Sequence, residues 1–313
     1  MDGGGRHIPV MLEEVVEVLQ VRTGGRYVDA TVGEGAMAER LLEVSAPSGL
    51  LLGLDRDGEA LESSARYLER FGSRATLVRT SYSRLEQTLE EYGWQRVDGI
   101  VADLGLSSLQ LRRPQRGFSF AAEGPLDMRM DLSLETTAAD LVSSLTEGDL
   151  ADLIYRYGEE RASRRIARSI VALRAQAPLL TTSDLRRAVL AAGLKGRPGH
   201  DPATRTFQAF RIAVNEELSE LETLVAGAWR ALAPGGRMAV LSYHSLEDRI
   251  VKRAFRRLAS DCICPPIRVV CNCGWQARVK VVTRKKLRPS HAEVEANPRS
   301  RSAGLRAVER LAA

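Results

Sequence analysis

Short apolar runs alternate with helical patterns through the first hundred residues. Residues 27–30 (YVDA) lead into TVGEGAMAERLL, where Leu41, Leu42 and Val44 continue at helical spacing. Residues 50–54 (LLLGL) end at Asp55. Residues 59–71 predict a helix, and Ala75 to Val78 a third strand. Residues 97–102 (VDGIVA) end at Asp103. Such strand–helix alternation predicts a parallel sheet with crossover helices. From about Ser108 to Ile212 there is no strand pattern. Asp149 to Tyr157, Glu159 to Gln176 and Asp184 to Ala192 all predict helices. The α/β pattern then resumes, with a turn at Leu232-Ala-Pro-Gly-Gly236 and a buried strand from Met238 to Leu241. Ser245-Leu-Glu-Asp248 has capping-box spacing and opens a helix that carries Leu246, Ile250, Ala254, Phe255 and Leu258 at helical intervals. The expected architecture is one α/β domain, residues 1–108 and 213–313, interrupted by an all-helical insertion at 109–212.

Composition narrows the class. The chain has 313 residues, 44% hydrophobic and 27% charged, ordinary for a globular protein and long enough for a large core. No apolar run approaches the ~20 residues that span a bilayer. The N-terminal stretch lacks the apolar core of a secretory signal. The expectation is a soluble, cytoplasmic protein. Net charge is +5, unevenly spread. Residues 278–313 hold ten basic and three acidic side chains, whereas the first 277 residues hold 35 and 37. A basic tail on a near-neutral body suits a polyanionic partner, nucleic acid before membrane.

Gly33-x-Gly35-x-x-Ala38 follows a strand and opens a helix, and Asp55 lies 20 residues past Gly35 at the end of the next strand. That is a nucleoside-cofactor layout, in which glycines admit the ligand to the backbone and the acid holds ribose hydroxyls. NAD fits the spacing, but Asp29, just before the loop, would repel its pyrophosphate. S-adenosylmethionine carries an amine and a sulfonium, and Asp29, Asp55 and Asp103 at three successive strand ends favour a cation.

Other chemistry is more dispersed. His244 follows the late strand, where it could touch a base, relay a proton or bond the helix start; Tyr243 could stack on a base or belong to the core. Arg161, Arg164, Arg165 and Arg168 share a helical face opposite Ile166, Ile170 and Leu173. Arg249, Lys252, Arg253, Arg256 and Arg257 decorate the helix after His244, and Arg284, Lys285, Lys286 and Arg288 the tail. Each cluster suits phosphate contact or a solvated face. All four cysteines lie in Cys262-x-Cys264 and Cys271-x-Cys273, either a zinc site with tighter spacing than the usual C-x₂-C or free thiols in a Pro-rich hairpin.

The chain resembles the bacterial small-subunit ribosomal RNA cytosine-N4 methyltransferases, the RsmH/MraW family. The matching stretches include HIPVMLEEVV, VDATVGEG, GLDRD, DGIVADLGLSSLQL, RGFSF, GPLDMRMD, YGEERASRRIARSIV, PATRTFQAFRIAVNEEL, LAPGGRMAVLSYHSLEDRIVKR and NPRSRSAGLRAVER, from residue 7 to residue 310 in order. The resemblance implies a class I SAM-dependent methyltransferase (Rossmann-like) sheet with an inserted helical domain. It also implies N4-methylation of a cytidine in the decoding region of 16S ribosomal RNA. Carried onto this chain, the cofactor contacts fall at Gly35, Ala36, Met37, Asp55, Tyr82, Asp103 and Gln110. Asp103 and His244 are the candidate catalytic groups, and Arg164, Arg165 and Arg168 the candidate RNA contacts. Most members carry Gly-Gly-His at the loop, and this chain departs from it at Ala36 and Met37. Two rival readings use the same residues: a nicotinamide oxidoreductase and a non-catalytic RNA-binding assembly factor.

Overall fold

The computed structural model describes residues 9–196, 201–265 and 270–312. Residues 7 and 8, at the head of the first matching stretch, and Pro266, in the Pro-rich hairpin, lie outside them. The chain divides into two compact units, Met1–Gly105 with Leu218–Ala313, and Leu106–Glu217. The inserted unit is thus a few residues longer at each end than the sequence pattern suggests.

The first unit opens with α1 (Leu12–Leu19), β1 (Arg26–Asp29), α2 (Ala36–Val44), β2 (Leu50–Asp55) and α3 (Gly58–Leu68). It continues with β3 (Ala75–Arg79), α4 (Leu85–Glu91) and β4 (Val97–Asp103). The inserted unit supplies α5 (Ser108–Arg112), α6 (Ala138–Ser144), α7 (Glu147–Gly158), α8 (Ser163–Arg174), α9 (Thr182–Ala191) and α10 (Thr204–Asn215). The chain then returns through α11 (Glu217–Gly227), β5 (Leu232–Ser242), α12 (Ser245–Leu258), β6 (Val279–Val281), α13 (His291–Ala296) and β7 (Gly304–Arg310).

The seven strands form one sheet in the order β3-β2-β1-β4-β5-β7-β6. The first five are parallel, and β7 runs antiparallel to both β5 and β6. Central strands such as β2 read as continuous apolar runs because both sheet faces are covered. On one face Leu85, Leu89, Leu221, Leu224, Val251 and Phe255 pack from α4, α11 and α12. On the other, Val15, Leu19, Leu41, Leu42 and Leu68 pack from α1, α2 and α3. Order reverses at β1, whose neighbours are β2 and β4. In open α/β sheets the crevice beyond the carboxyl ends of such strands is where ligands bind.

Four sequence expectations are corrected. The basic tail, for which a solvated face is one of two alternatives, is only partly solvated: Arg284, Lys285 and Arg288 are exposed, but β7 lies inside the sheet with Leu305, Ala307 and Val308 buried. Part of its charge is spent within the fold, Arg306 pairing with Asp248 at 2.8 Å and Lys286 with the same carboxylate at 3.6 Å. Leu232–Gly236 is not a turn outside the strand. It is an irregular start to β5, where pairing with β4 jumps from Val97↔Leu232 to Gly99↔Arg237, and Gly235 takes a φ of 78°. The helix expected from Glu159 begins at Ser163, because Glu159 closes α7 in a left-handed conformation. The capping box of α12 is shifted by one residue and belongs to His244 and Glu247 rather than to Ser245 and Asp248.

The inserted unit has its own core, built on Leu126, Met128, Ile154, Ile166, Ile170, Val189 and Phe210. Its longest motifs are tied together. Asn215 accepts from Met130 N–H at 2.7 Å and donates to the Met128 carbonyl at 2.7 Å. The buried Arg116 guanidinium donates to the carbonyls of Arg129 and Met130 at 3.0 and 2.8 Å. GPLDMRMD is thus a segment without regular secondary structure whose backbone is satisfied by side chains.

Candidate functional site

The loop after β1 depends on two glycines. Gly33 and Gly35 have φ of 52° and 93°, and a Cβ on Gly35 would sit 3.2 Å from the side chains of Ser64 and Tyr67. Gly35 caps α2. Ala36 begins that helix, half-exposed, while the Met37 side chain points into the core at 7% exposure.

Asp55 secures this turn to the next strand. One carboxylate oxygen accepts from Gly33 N–H and the other from Asp57 N–H, both at 2.9 Å. Asp29 is buried at the end of β1. Its Oδ1 accepts from Thr31 N–H at 3.2 Å, whereas its Oδ2 has no hydrogen-bond partner. Thr31 Oγ1 in turn accepts from the Asp103 backbone N–H at 2.7 Å, joining the ends of β1 and β4. The Asp103 carboxylate accepts from Gly105 N–H at 3.3 Å and from the Tyr243 hydroxyl.

Burial shifts all three carboxyls here. Burial pushes Asp29 up to about 7, with the fields of Asp103 and Asp55 adding to it. Burial likewise pushes Asp55 and Asp103 up to about 6, against the hydrogen bonds that favour their charged forms. Carboxyls that resist ionisation through burial favour a cation and repel a phosphate.

Two residues around Asp103 carry more than the sequence suggested. Tyr243 is half-buried, with its phenol pushed well above its ordinary value, chiefly by burial and then by Asp103. Its ring lies so close to Gly105 that a Cβ there would stand 2.9 Å from it. The hydroxyl is therefore held on Asp103, an arrangement that depends on tertiary contact and leaves no mark in the sequence. Glu247 is also buried, and its Oε2 accepts from the backbone N–H of Tyr243 at 2.7 Å and of His244 at 3.2 Å. His244 Nδ1 accepts from Glu247 N–H at 3.4 Å. Its Nε2 lies 3.1 Å from Glu247 Oε1, outside hydrogen-bond geometry. Both ring nitrogens of His244 thus face Glu247, at the start of α12.

Tyr82 starts a single 3₁₀ turn after β3. It packs against the sheet core, with the Arg56 guanidinium 5.7 Å from its ring centroid and Arg56 paired to Glu220 at 3.2 Å. Gln110 belongs to the inserted unit, where it is buried and forms a capping box with Ser107. Arg164, Arg165 and Arg168 are exposed on α8, opposite the buried Ile166 and Ile170, and Arg168 reaches Glu147 at 3.7 Å. Arg161, Arg164 and Arg165 line a 420 Å³ cleft with Asp152 and Tyr155. Tyr155, 60% exposed, was not singled out from the sequence, although its place one turn from the end of a helix otherwise buried on Leu150 and Ile154 marks it as solvent-facing. The four cysteines gather in the connection between α12 and β6.

A sheet of this order, with a glycine turn after β1 and an acid closing β2, defines a class I S-adenosylmethionine-dependent methyltransferase. The MraW methylase family model matches residues 5–311, and the chain belongs to that family. It is similar to a Ribosomal RNA small subunit methyltransferase H of Syntrophobacter fumaroxidans, 51% identical over 97% of this chain and 96% of that one. It is also similar to one of Symbiobacterium thermophilum, 50% identical over 98% and 97%. Among solved structures, an rRNA methylase of Streptococcus thermophilus aligns over 96% of this chain and 94% of that one, at 12% identity and a TM-score of 0.38. Among the described residues, no helix is long and apolar enough to cross a membrane.

Proposed function

We propose that the enzyme methylates N4 of a cytidine in the decoding region of 16S ribosomal RNA, acting in the cytoplasm on the RNA or the small subunit. The observation that carries this reading is Asp29. A buried carboxyl with one oxygen unpaired, beside two further acids at the switch point of the sheet, is stabilised by a cationic ligand. The relatives' shared name points to small-subunit ribosomal RNA, and the family resemblance to N4 of a cytidine.

S-adenosylmethionine, when bound, supplies an activated methyl on a sulfonium. Asp29 offsets its positive charge. Asp55 accepts from the ribose hydroxyls, because a carboxylate holding two backbone N–H groups still has lone pairs to offer. The backbone of Gly35, Ala36 and Met37 lines the approach, and Tyr82 joins the cofactor set that the family resemblance suggests. Asp103 accepts a hydrogen bond from the exocyclic amine, turning its nitrogen toward the methyl. Tyr243 and the Gly105 N–H fix that carboxylate, and Thr31 Oγ1 holds the Asp103 backbone N–H. Alignment is the main contribution here, since positioning can supply roughly 7–11 kcal/mol. With the cofactor bound, the nitrogen–carbon bond would form as the methyl's bond to sulfur breaks, the sulfur keeping that electron pair as a neutral thioether, and one amine proton would pass to water. His244 holds the start of α12 and with it Tyr243, and is a positioning residue in this reading. The base must leave its stack to react. Arg164, Arg165 and Arg168 then contact phosphates beside Tyr155, whose exposed ring offers a stacking surface.

The test is transfer of a labelled methyl group from S-adenosylmethionine to small subunits lacking the modification, followed by mass spectrometry of the nucleosides. N4-methylcytidine is expected. Label on another nucleoside, or none with a cofactor-binding protein, would overturn the assignment.

A further inference from the structure

The four cysteines lie outside the methyl-transfer crevice, and nothing in that chemistry uses them. They sit in the connection between Leu258, the end of α12, and Val279, the start of β6. All four sulfurs lie within 4.8 Å of one another. Cys271 Sγ is 3.3 Å from Cys262, 3.9 Å from Cys264 and 3.5 Å from Cys273, and Cys273 is 3.8 Å from Cys262. Burial does not explain this gathering, because Cys262 and Cys271 are exposed and the other two only half-buried. Thiols at the surface gain little apolar burial from clustering, so another attraction must hold them.

The separations match one. Four sulfurs at about 2.3 Å from a tetrahedral centre stand about 3.8 Å apart. The backbone around them is arranged for thiolates. Cys264 N–H points to Cys262 Sγ at 3.3 Å, and the N–H groups of Ile263 and Trp275 point to Cys273 Sγ. Donors directed at sulfur stabilise its charged, metal-binding form. We propose that Cys262, Cys264, Cys271 and Cys273 bind one zinc ion in a closed, tetrahedral, structural site. Four protein ligands leave no position for water or substrate, so the ion has no catalytic role.

The site has a mechanical task. Next to the last ligand, Trp275 packs against the sheet core, with the guanidiniums of Arg278 and Arg257 at 5.6 and 6.0 Å from its ring. Arg278 N–H donates to the Leu258 carbonyl at 2.8 Å, closing the base of the connection. Zinc fixes the far end of this loop and so fixes the entry of β6 into the sheet. It also orders the loop beside the exposed Arg253, Arg256 and Arg257 of α12.

The test is the metal content of the full-length protein, grown with zinc, freed of loose metal by gel filtration and read by elemental mass spectrometry. One zinc per chain is expected, falling below about a tenth in Cys264→Ser and Cys271→Ser. Should those variants fail to fold, the wild type alone decides: a mercurial thiol reagent should release one zinc as four thiols titrate. Cobalt bound in place of zinc should show the intense visible bands of a tetrathiolate. Four thiols that titrate without releasing metal, two disulfides in the native protein, iron in place of zinc, or zinc retained by the serine variants would each overturn the site. None of these readouts depends on methyl transfer.

Discussion

The carboxyls of Asp29, Asp55 and Asp103 and the guanidiniums of Arg164, Arg165 and Arg168 are both rows of like charge, but one row is buried and the other faces water. In the crevice, lost hydration raises every carboxyl, and at Asp29 the fields of Asp103 and Asp55 add to it, so the unliganded fold keeps an arrangement that works against its own stability. On α8 the same crowding costs little, because water and salt screen it. Buried like charge therefore points to a specific ligand, whereas exposed like charge gains meaning only from what lies beside it, here Tyr155 and the cleft.

The sharpest way to break the comparison is at Asp103. Asp103→Asn should lower turnover at saturating cofactor by about 10²–10³-fold, the usual loss for one well-placed hydrogen-bonding group. Single-turnover rates on small subunits would measure it, and full recovery with excess cofactor would reduce Asp103 to a cofactor ligand.

Asp55→Ala should weaken S-adenosylmethionine binding by about 10- to 100-fold, the worth of roughly 1.5–3 kcal/mol for a charged acceptor. Calorimetry on a variant with wild-type circular dichroism checks this, and an unchanged affinity removes Asp55 from the site.

Asp29 should separate binding from stability. A carboxyl raised from 3.8 to about 7 in the fold contributes stability in full below its unfolded value and loses it as pH climbs through 7. Without cofactor, Asp29→Asn should therefore gain in thermal stability over wild type from pH 5 to pH 8, while binding the cofactor less well. For the wild type, affinity should rise with pH across 6 to 7, with proton release on binding seen as a buffer-dependent enthalpy. A pH-independent affinity would mean that the carboxyls do not face the cation.

The smallest effect belongs to the exposed row. Replacing Arg164, Arg165 and Arg168 by Ala should leave cofactor affinity intact, raise KM for RNA a few-fold and flatten the salt slope by about two, at about 0.7 per single-strand phosphate. An unchanged slope would return α8 to an ordinary solvated face.

How much of this was readable beforehand follows the same division. The strands that end at Asp29, Asp55 and Asp103 are apolar runs buried on both faces, so composition alone marked them and brought the three acids together. The helices of the insertion were readable from spacing, since Ile166 and Ile170 keep to one side. The last strand was not. Gly304-Leu-Arg-Ala-Val-Glu-Arg310 is short, rich in arginine and close to Pro298, and only pairing with β5 makes it interior. Tyr243 on Asp103 and the cap shifted to His244 were equally hidden, because each depends on a partner from a neighbouring strand far away in sequence or on a backbone angle that no local pattern fixes.

The pairing of β4 with β5 has a consequence for how the molecule assembles. These neighbours are separated by ~130 residues of chain, and closing a flexible loop of that length carries an entropy penalty that grows with the logarithm of its length. A helical unit with its own core can form from local contacts first and so shorten the loop that remains to be closed. Pulse-labelled amide exchange during refolding should then find α7, α8 and α10 protected before β5. The insertion would act as a folding chaperone in cis for the sheet it interrupts.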